Sequence, residues 1–315
     1  MKHSDKKIKI EQFGKIEKIV YMGTPDFAAS IFERLVDAGY NVPLVVSQMD
    51  KPRGRGNVMS PSPVKAAAIN KGIPVITPLS VKSEESVGAL FEIAPDLIIV
   101  AAYGQILPES ILNLPKYGCI NVHASLLPEY RGAAPINRAI MDGKTEGGVT
   151  VMYMEKGLDT GDMLHVKKMD IPDDMDAGEF HDALAILGSE ALLEFLSDFE
   201  KGNAYREKQD DSKATYAAKI LKDELEIDFS KPCKDVRNFI RGTAPFPGSF
   251  FILNGKRIKA MKAELGNATG EVGKALKNEK GIEIICGEGS VVITSLKPEG
   301  KRVMTGAEYL VGNKI

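Results

Sequence analysis

The sequence predicts an α/β protein: a Rossmann-like, mostly parallel sheet with helices on both faces, followed by a smaller β-barrel unit. Three observations predict it. Short, almost wholly apolar runs alternate with amphipathic helical stretches up to about residue 200, as in a sheet covered on both faces. The chain has 315 residues, about twice the length of a typical single domain. Beyond Glu226 the pattern changes to short β-rich runs divided by turn signals.

The first strand is Lys18–Met22 (KIVYM), and the turn Gly23-Thr24-Pro25 leads into a helix over Asp26–Ala38. Pro25 suits a helix start, Phe27, Ile31, Leu35 and Val36 share one face, and Gly39 ends the helix. This turn lacks G-x-G-x-x-G, and the nearest acid after the next strand is Asp50, so no dinucleotide site is expected. Further strands follow at Val42–Ser47, Ile73–Ile76, Leu97–Ala102 and Cys119–Val122. Val149–Met154 and Met163–Met169 form another strand pair, joined by a turn rich in glycine and aspartate. Asp176–Phe199 is a long helix with Phe180, Leu184, Leu187, Leu192, Phe195 and Leu196 as its core stripe. Lys201–Ser212 is polar and reads as a linker or surface crossing. In the last part, Asn254-Gly255 between two β-rich runs signals a type I′ hairpin, and a helix lies near Cys233–Arg241. The expected organisation is an N-terminal extension (1–17), a larger α/β domain (18–205), a linker (206–222) and a barrel (223–315).

Composition narrows the class. Apolar residues make up 43% and charged residues 27%, which is ordinary for a globular enzyme. No apolar run approaches the ~18 residues that span a bilayer, and the basic N-terminus lacks the apolar core of a signal peptide. A cytoplasmic protein with no membrane contact is expected. The 3 cysteines, Cys119, Cys233 and Cys286, have no C-x-x-C spacing and read as buried small hydrophobes rather than a disulfide or zinc framework. Net charge is −2, but residues 222–315 hold 16 Lys and Arg against 12 Asp and Glu, a balance of +4 that leaves −6 for the rest. Inside that acidic part, Lys51–Ser83 carries six cations (Lys51, Arg53, Arg55, Lys65, Lys71, Lys82) and no acid. Such a stretch suits either a solvated loop or a polyanionic partner.

The chemistry gathers after the strand Cys119–Val122. Asn121 and His123 are two apart, so both point to one face of an extended chain, at the sheet edge where open α/β folds bind ligands. A lone histidine is as readily a satisfied polar residue as a catalyst. The loop Gly157-Leu158-Asp159-Thr160-Gly161-Asp162 adds two aspartates between glycines, and an acid beside an imidazole fixes its tautomer. An amide and a histidine converging on one point can stabilise an oxyanion. Taken alone, that loop is also a plain Gly/Asp turn.

Asn121-Val122-His123-Ala124-Ser125-Leu126-Leu127-Pro128, continued by Tyr130-Arg131-Gly132-Ala133-Ala134-Pro135, resembles the signature of the 10-formyltetrahydrofolate-dependent formyltransferases. Gly157–Asp162 resembles that family's second active-site loop. The resemblance implies Asn121, His123 and Asp159 as the catalytic set, Asp162 in support, and Ser125, Leu126, Leu127 and Pro128 as the lining of the folate site. It implies 10-formyltetrahydrofolate as co-substrate. The donor's leaving nitrogen departs once protonated, so no metal ligands are expected.

The acceptor is implied by other segments. Lys51-Pro52-Arg53-Gly54-Arg55-Gly56, followed by Ser60–Lys65, is similar to the inserted loop of the members that formylate methionyl-tRNA. Arg55, with Lys51, Arg53 and Lys65, is implied to contact the tRNA. Thr215–Ile220 and Ile240–Gly248 resemble the junction and the start of an OB-like barrel in the same members, where tryptophan often stands in place of Phe246. The resemblance runs from about Lys18 to the end of the chain. Initiator methionyl-tRNA is therefore the expected partner and a monomer the expected state. Rival readings are a formyltransferase for a nucleotide-linked amino sugar, a hydrolase of the donor, and an RNA-binding protein without activity.

Overall fold

A computed structural model describes residues 7–53, apart from the Arg53 side chain, and 58–315. Two compact units emerge. The first comprises the described residues of Met1–Arg131, Gly148–Met169 and Asp182–Tyr216, and the second Gly132–Gly147, Asp170–His181 and Ala217–Ile315.

In chain order come strands β1 (Lys7–Lys9) and β2 (Ile19–Gly23), helix α1 (Asp26–Asp37), β3 (Leu44–Val46) and the antiparallel pair β4 (Lys51–Arg53) and β5 (Val58–Ser60). Helix α2 (Pro63–Asn70), β6 (Val75–Ile76), α3 (Glu84–Ile93), β7 (Leu97–Ala101), α4 (Glu109–Leu112) and β8 (Cys119–His123) follow. Then come β9 (Arg131–Gly132), α5 (Pro135–Met141), β10 (Glu146–Tyr153), β11 (Met163–Asp170), α6 (Ala177–Glu200), β12 (Tyr205–Glu207) and β13 (Tyr216–Ala217). Among the described residues β1 to β3, β6 to β8 and β10 to β12 form one nine-stranded sheet, in the order β1-β12-β11-β10-β8-β7-β2-β3-β6.

The core of that sheet is the parallel run β8-β7-β2-β3-β6. Every residue of β2, β3 and β7 is buried, which is why their sequences read as unbroken apolar runs. Direction reverses at β10, which pairs antiparallel with β8, so β8 is the seam between the two regimes. The carboxyl ends of β2, β7 and β8 fall at one edge, where an open sheet receives ligands. Helix α1 begins after Pro25 with Asp26 in its first turn and buries Phe27, Ile31, Phe32 and Leu35. Helix α2 starts on Ser62, whose hydroxyl accepts the Lys65 N–H at 3.1 Å, with Pro63 at its first position. The N-terminal segment adds an edge strand: β1 pairs antiparallel with β12, and Ile10 and Ile16 are buried. Its short basic sequence did not signal this.

The second unit centres on helix α7 (Cys233–Thr243) and strands β14 (Phe250–Leu253), β15 (Lys256–Gly266), β16 (Ala275–Asn278), β17 (Gly281–Ile285), β18 (Ser290–Pro298) and β19 (Met304–Thr305), closed by α8 (Gly306–Gly312). The six strands make a curled antiparallel sheet. Asn254 and Gly255 join β14 to β15 with φ of 49° and 71°, the double left-handed turn that the Asn-Gly pair signals. Register shifts between Ala260 and Ala263 let the 11-residue β15 bend across the sheet. Its apolar core includes Ile240, Phe251, Ile258, Ile282, Ile293 and Leu296. All three cysteines are free; Cys119 and Cys286 are buried and Cys233 is half-buried.

Candidate active site

Strand β8 carries Asn121 and His123 to the ligand-binding edge. Asn121 stands opposite Met152 and His123 opposite Thr150 on β10. His123 is 6% exposed, so its ring is held by protein rather than water. Its Nε2 lies 3.0 Å from the Tyr130 carbonyl oxygen. A carbonyl only accepts, so Nε2 carries the hydrogen, and the neutral ring keeps its lone pair on Nδ1. Nδ1 faces the Asp159 carboxylate, with Oδ2 at 3.7 Å. A proton arriving at Nδ1 therefore meets an anion already in place. Among the described residues the half-buried Asn121 carboxamide has no hydrogen-bond partner, which leaves its N–H groups available to a ligand.

The groups on either side of His123 sit on unusual backbone. Tyr130 has φ of 60° and Asp159 φ of 53°, two of five non-glycine residues with positive φ among the described residues. Left-handed backbone costs a residue such as Tyr130 about 1–2 kcal/mol, less for an aspartate, and persists where surroundings over-determine it. Those surroundings are visible. The Tyr130 N–H donates to the Thr215 hydroxyl at 2.8 Å. The Gln209 carboxamide nitrogen donates to the carbonyls of Asp159 and Gly161, both at 2.8 Å. Gln209 Oε1 in turn accepts from Arg131 Nε at 3.0 Å and Nη2 at 2.8 Å, and Nη2 also donates to Asp211 at 2.7 Å. The loop glycine is required as well: a Cβ on Gly161 would stand 2.0 Å from the Tyr153 carbonyl oxygen. Asp162 lies outside this pair, with its carboxylate 3.6 Å from Arg206.

The turn Ser125–Pro128 is braced from within. Thr150 Oγ1 donates to the Ser125 carbonyl at 2.8 Å and accepts the Leu127 N–H at 3.1 Å, and the Ser125 hydroxyl donates to the Glu129 carbonyl at 2.6 Å. Ser125 and Leu127 are buried, and Leu126 and Pro128 are half-buried. With its polar atoms committed inward, the turn offers an apolar edge next to Asn121 and His123.

Of the basic-loop residues, Arg55 and its neighbours at 54–57 lie outside the described residues, as does the Arg53 side chain. Lys51 is exposed and donates to Gln48 at 2.6 Å. Lys65 is ion-paired with Asp50 at 2.7 Å, so this cation is balanced in space by an acid that precedes the acid-free stretch. Among the described residues no group of three or more His, Cys, Asp or Glu side chains is placed to share a metal ion, and no helix is long and apolar enough to cross a membrane.

Four residues around the site escaped the sequence reading: Arg131, Thr150, Gln209 and Thr215. Arg131 is 2% exposed and Gln209 5% exposed, and they are partners 78 residues apart. Gln209 sits in the stretch whose polarity suggests a surface crossing. The available signal was Arg131 inside an otherwise small and apolar motif, which calls for a buried partner.

Comparison with known proteins bears on this geometry. A family model described as formyl transferase matches residues 17–196, and a second, the formyl transferase C-terminal domain, matches residues 219–314. A methionyl-tRNA formyltransferase of Caldanaerobacter subterraneus subsp. tengcongensis is 50% identical over 301 residues, covering 95% of this chain and 97% of that protein. Its counterpart in Geotalea daltonii is 46% identical over 299 residues, covering 95% and 96%. Among solved structures, the N-formyltransferase of Helicobacter canadensis in complex with folinic acid and dTDP-3-aminofucose superposes with a TM-score of 0.66 at 19% identity, covering 88% of this chain and 98% of that one. HypX of Aquifex aeolicus with tetrahydrofolic acid gives a TM-score of 0.63 at 19% identity, covering 94% of this chain but 47% of that longer one. At such identity the two structures speak for the fold.

Proposed function

The chain belongs to the formyl transferase family, and from that premise we propose that it transfers the formyl group of 10-formyltetrahydrofolate to the α-amine of methionyl initiator tRNA. The observation that carries the chemistry is the pairing of His123 Nδ1 with Asp159 beside an uncommitted Asn121, at the carboxyl end of β8. The acceptor rests on the relatives' names, on their near-complete coverage, and on the basic segment Lys51, Arg53, Arg55 and Lys65.

When bound, the donor supplies a formyl carbon already attached to a nitrogen that can leave. The Asn121 amide donates to the oxygen that becomes negative as the amine adds to that carbon. His123 adds a second donor at Nδ1 once that nitrogen is protonated, because Nε2 is committed to Tyr130. Asp159 holds the imidazolium so formed and takes part in moving the proton from the attacking amine toward the leaving nitrogen. The apolar edge at Leu126 and Pro128 seats the donor's ring.

Incubating the protein with 10-formyltetrahydrofolate and charged initiator tRNA should yield formylmethionyl-tRNA. A dTDP-linked amino sugar offered in its place should yield nothing. Product on the sugar, or none on the tRNA, would overturn the acceptor assignment. His123→Ala should lower kcat by about 10²–10⁴-fold, the usual contribution of a general acid–base group, while donor binding is kept.

A further inference from the structure

Five residues close a circuit around the reacting imidazole. His123 Nε2 donates to the Tyr130 carbonyl, and Tyr130 is bonded in the chain to Arg131. The Arg131 guanidinium holds the Gln209 carboxamide oxygen, and the Gln209 nitrogen holds the Asp159 carbonyl. Asp159 returns to His123 at Nδ1. The two residues that touch His123 are both left-handed, and Tyr130 has no local preference for that region, so the contacts around it hold it there.

The orientation of the Gln209 amide follows from chemistry. Its oxygen faces two guanidinium N–H groups and its nitrogen faces two carbonyl oxygens. A flipped amide would set donor against donor and acceptor against acceptor at all four contacts. Arg131 therefore orients Gln209, and Gln209 is left with both N–H groups for the catalytic loop. Both side chains are buried, so water does not readily substitute for either.

We propose that Gln209 is a positioning residue for formyl transfer: its carboxamide fixes the Asp159–Gly161 backbone, and through it the distance between the Asp159 carboxylate and His123. This rests on the reading that Asp159 serves His123 in the reaction.

Gln209→Glu is the discriminating variant. It keeps the size and shape of the side chain and strengthens the contact with Arg131, yet turns an oxygen toward the two loop carbonyls. Turnover is expressed per donor-binding site, so that misfolded chains do not count. The expected result is a kcat lower by roughly 10- to 100-fold, the scale of a misplaced catalytic group, with KM for donor and tRNA within about twofold. In an Asp159→Asn background the same change should cost no more than about twofold, because the group it positions has been disabled. If Gln209→Glu keeps more than half of kcat while Asp159→Asn is impaired, the positioning role is wrong and the active-site reading stands. If the two losses multiply in the double variant, Gln209 acts elsewhere and the proposal fails. If Asp159→Asn itself turns over normally, the active-site reading falls and takes this proposal with it.

Discussion

His123 has one nitrogen to offer. The Tyr130 carbonyl occupies Nε2, so every proton transfer by this ring runs through Nδ1 and past Asp159. The left-handed backbone at Asp159 decides which variant tests that carboxylate cleanly. Alanine there would remove the charge and also strain the loop, since only glycine, asparagine and aspartate visit this region with ease. Asp159→Asn keeps the conformation and the size and removes only the charge. It should lower kcat by about 10²-fold or more, with the melting temperature little changed. A drop in stability as large as that of Asp159→Ala would mean that the carboxylate serves the fold instead.

At the scale of elements, the seam between β8 and β10 is what places the site. Thr150 on β10 braces the Ser125–Pro128 turn that follows β8, two residues beyond Gly148. A Cβ on Gly148 would stand 2.1 Å from the Lys167 carbonyl oxygen and 2.6 Å from a Leu126 methyl. Gly148→Ala must push β11 or the turn aside, so it should destabilise by about 1–3 kcal/mol, as overpacking does, and raise KM for the donor. Denaturant melts and donor titration read the two effects separately. This level of organisation is also where sequence reading ran out. The central strands and long helices were legible because burial on both faces makes unbroken apolar runs, and one buried stripe makes a 3.6-residue period, whereas the edge strands β1 and β12 have neither pattern. That Asn121, His123 and Asp159 belong together could be expected because each sits in a contiguous motif, and the structure places Asp159 against the His123 ring. Gln209 and Thr215 were not legible, because each is a polar residue whose partner lies 50 to 85 residues away. Lys65 shows the same limit: its balancing Asp50 lies one residue before the stretch that carries no acid.

For the whole molecule, acid is the informative stress. Burial alone would raise the Glu283 carboxyl, but hydrogen bonds from Ser290, Asn278 and the N–H groups of Ala268 and Asn267 outweigh it and hold it below the ordinary 4.5. A depressed folded value means that the ionised form stabilises the second unit above the ordinary value, and that this is lost as pH falls through the folded one. Glu283→Gln should therefore lower the denaturant midpoint near neutral pH, and the gap from the unaltered protein should close as pH falls through and below the ordinary carboxylate range. A gap that stays constant with pH would show that the carboxylate's charge does not matter. The free cysteines carry a practical consequence. The Cys119 thiol, two residues from Asn121, is pushed up to about 12 by burial, and Cys286 to about 11, so both stay protonated and shielded at neutral pH. Thiolate is the form that reacts with maleimides and iodoacetamides. The half-buried Cys233 at the start of α7 is the least buried of the three, so a maleimide should label it before the others. Labelling the unaltered chain should therefore place one reporter on its second unit and leave the thiol two residues from Asn121 untouched.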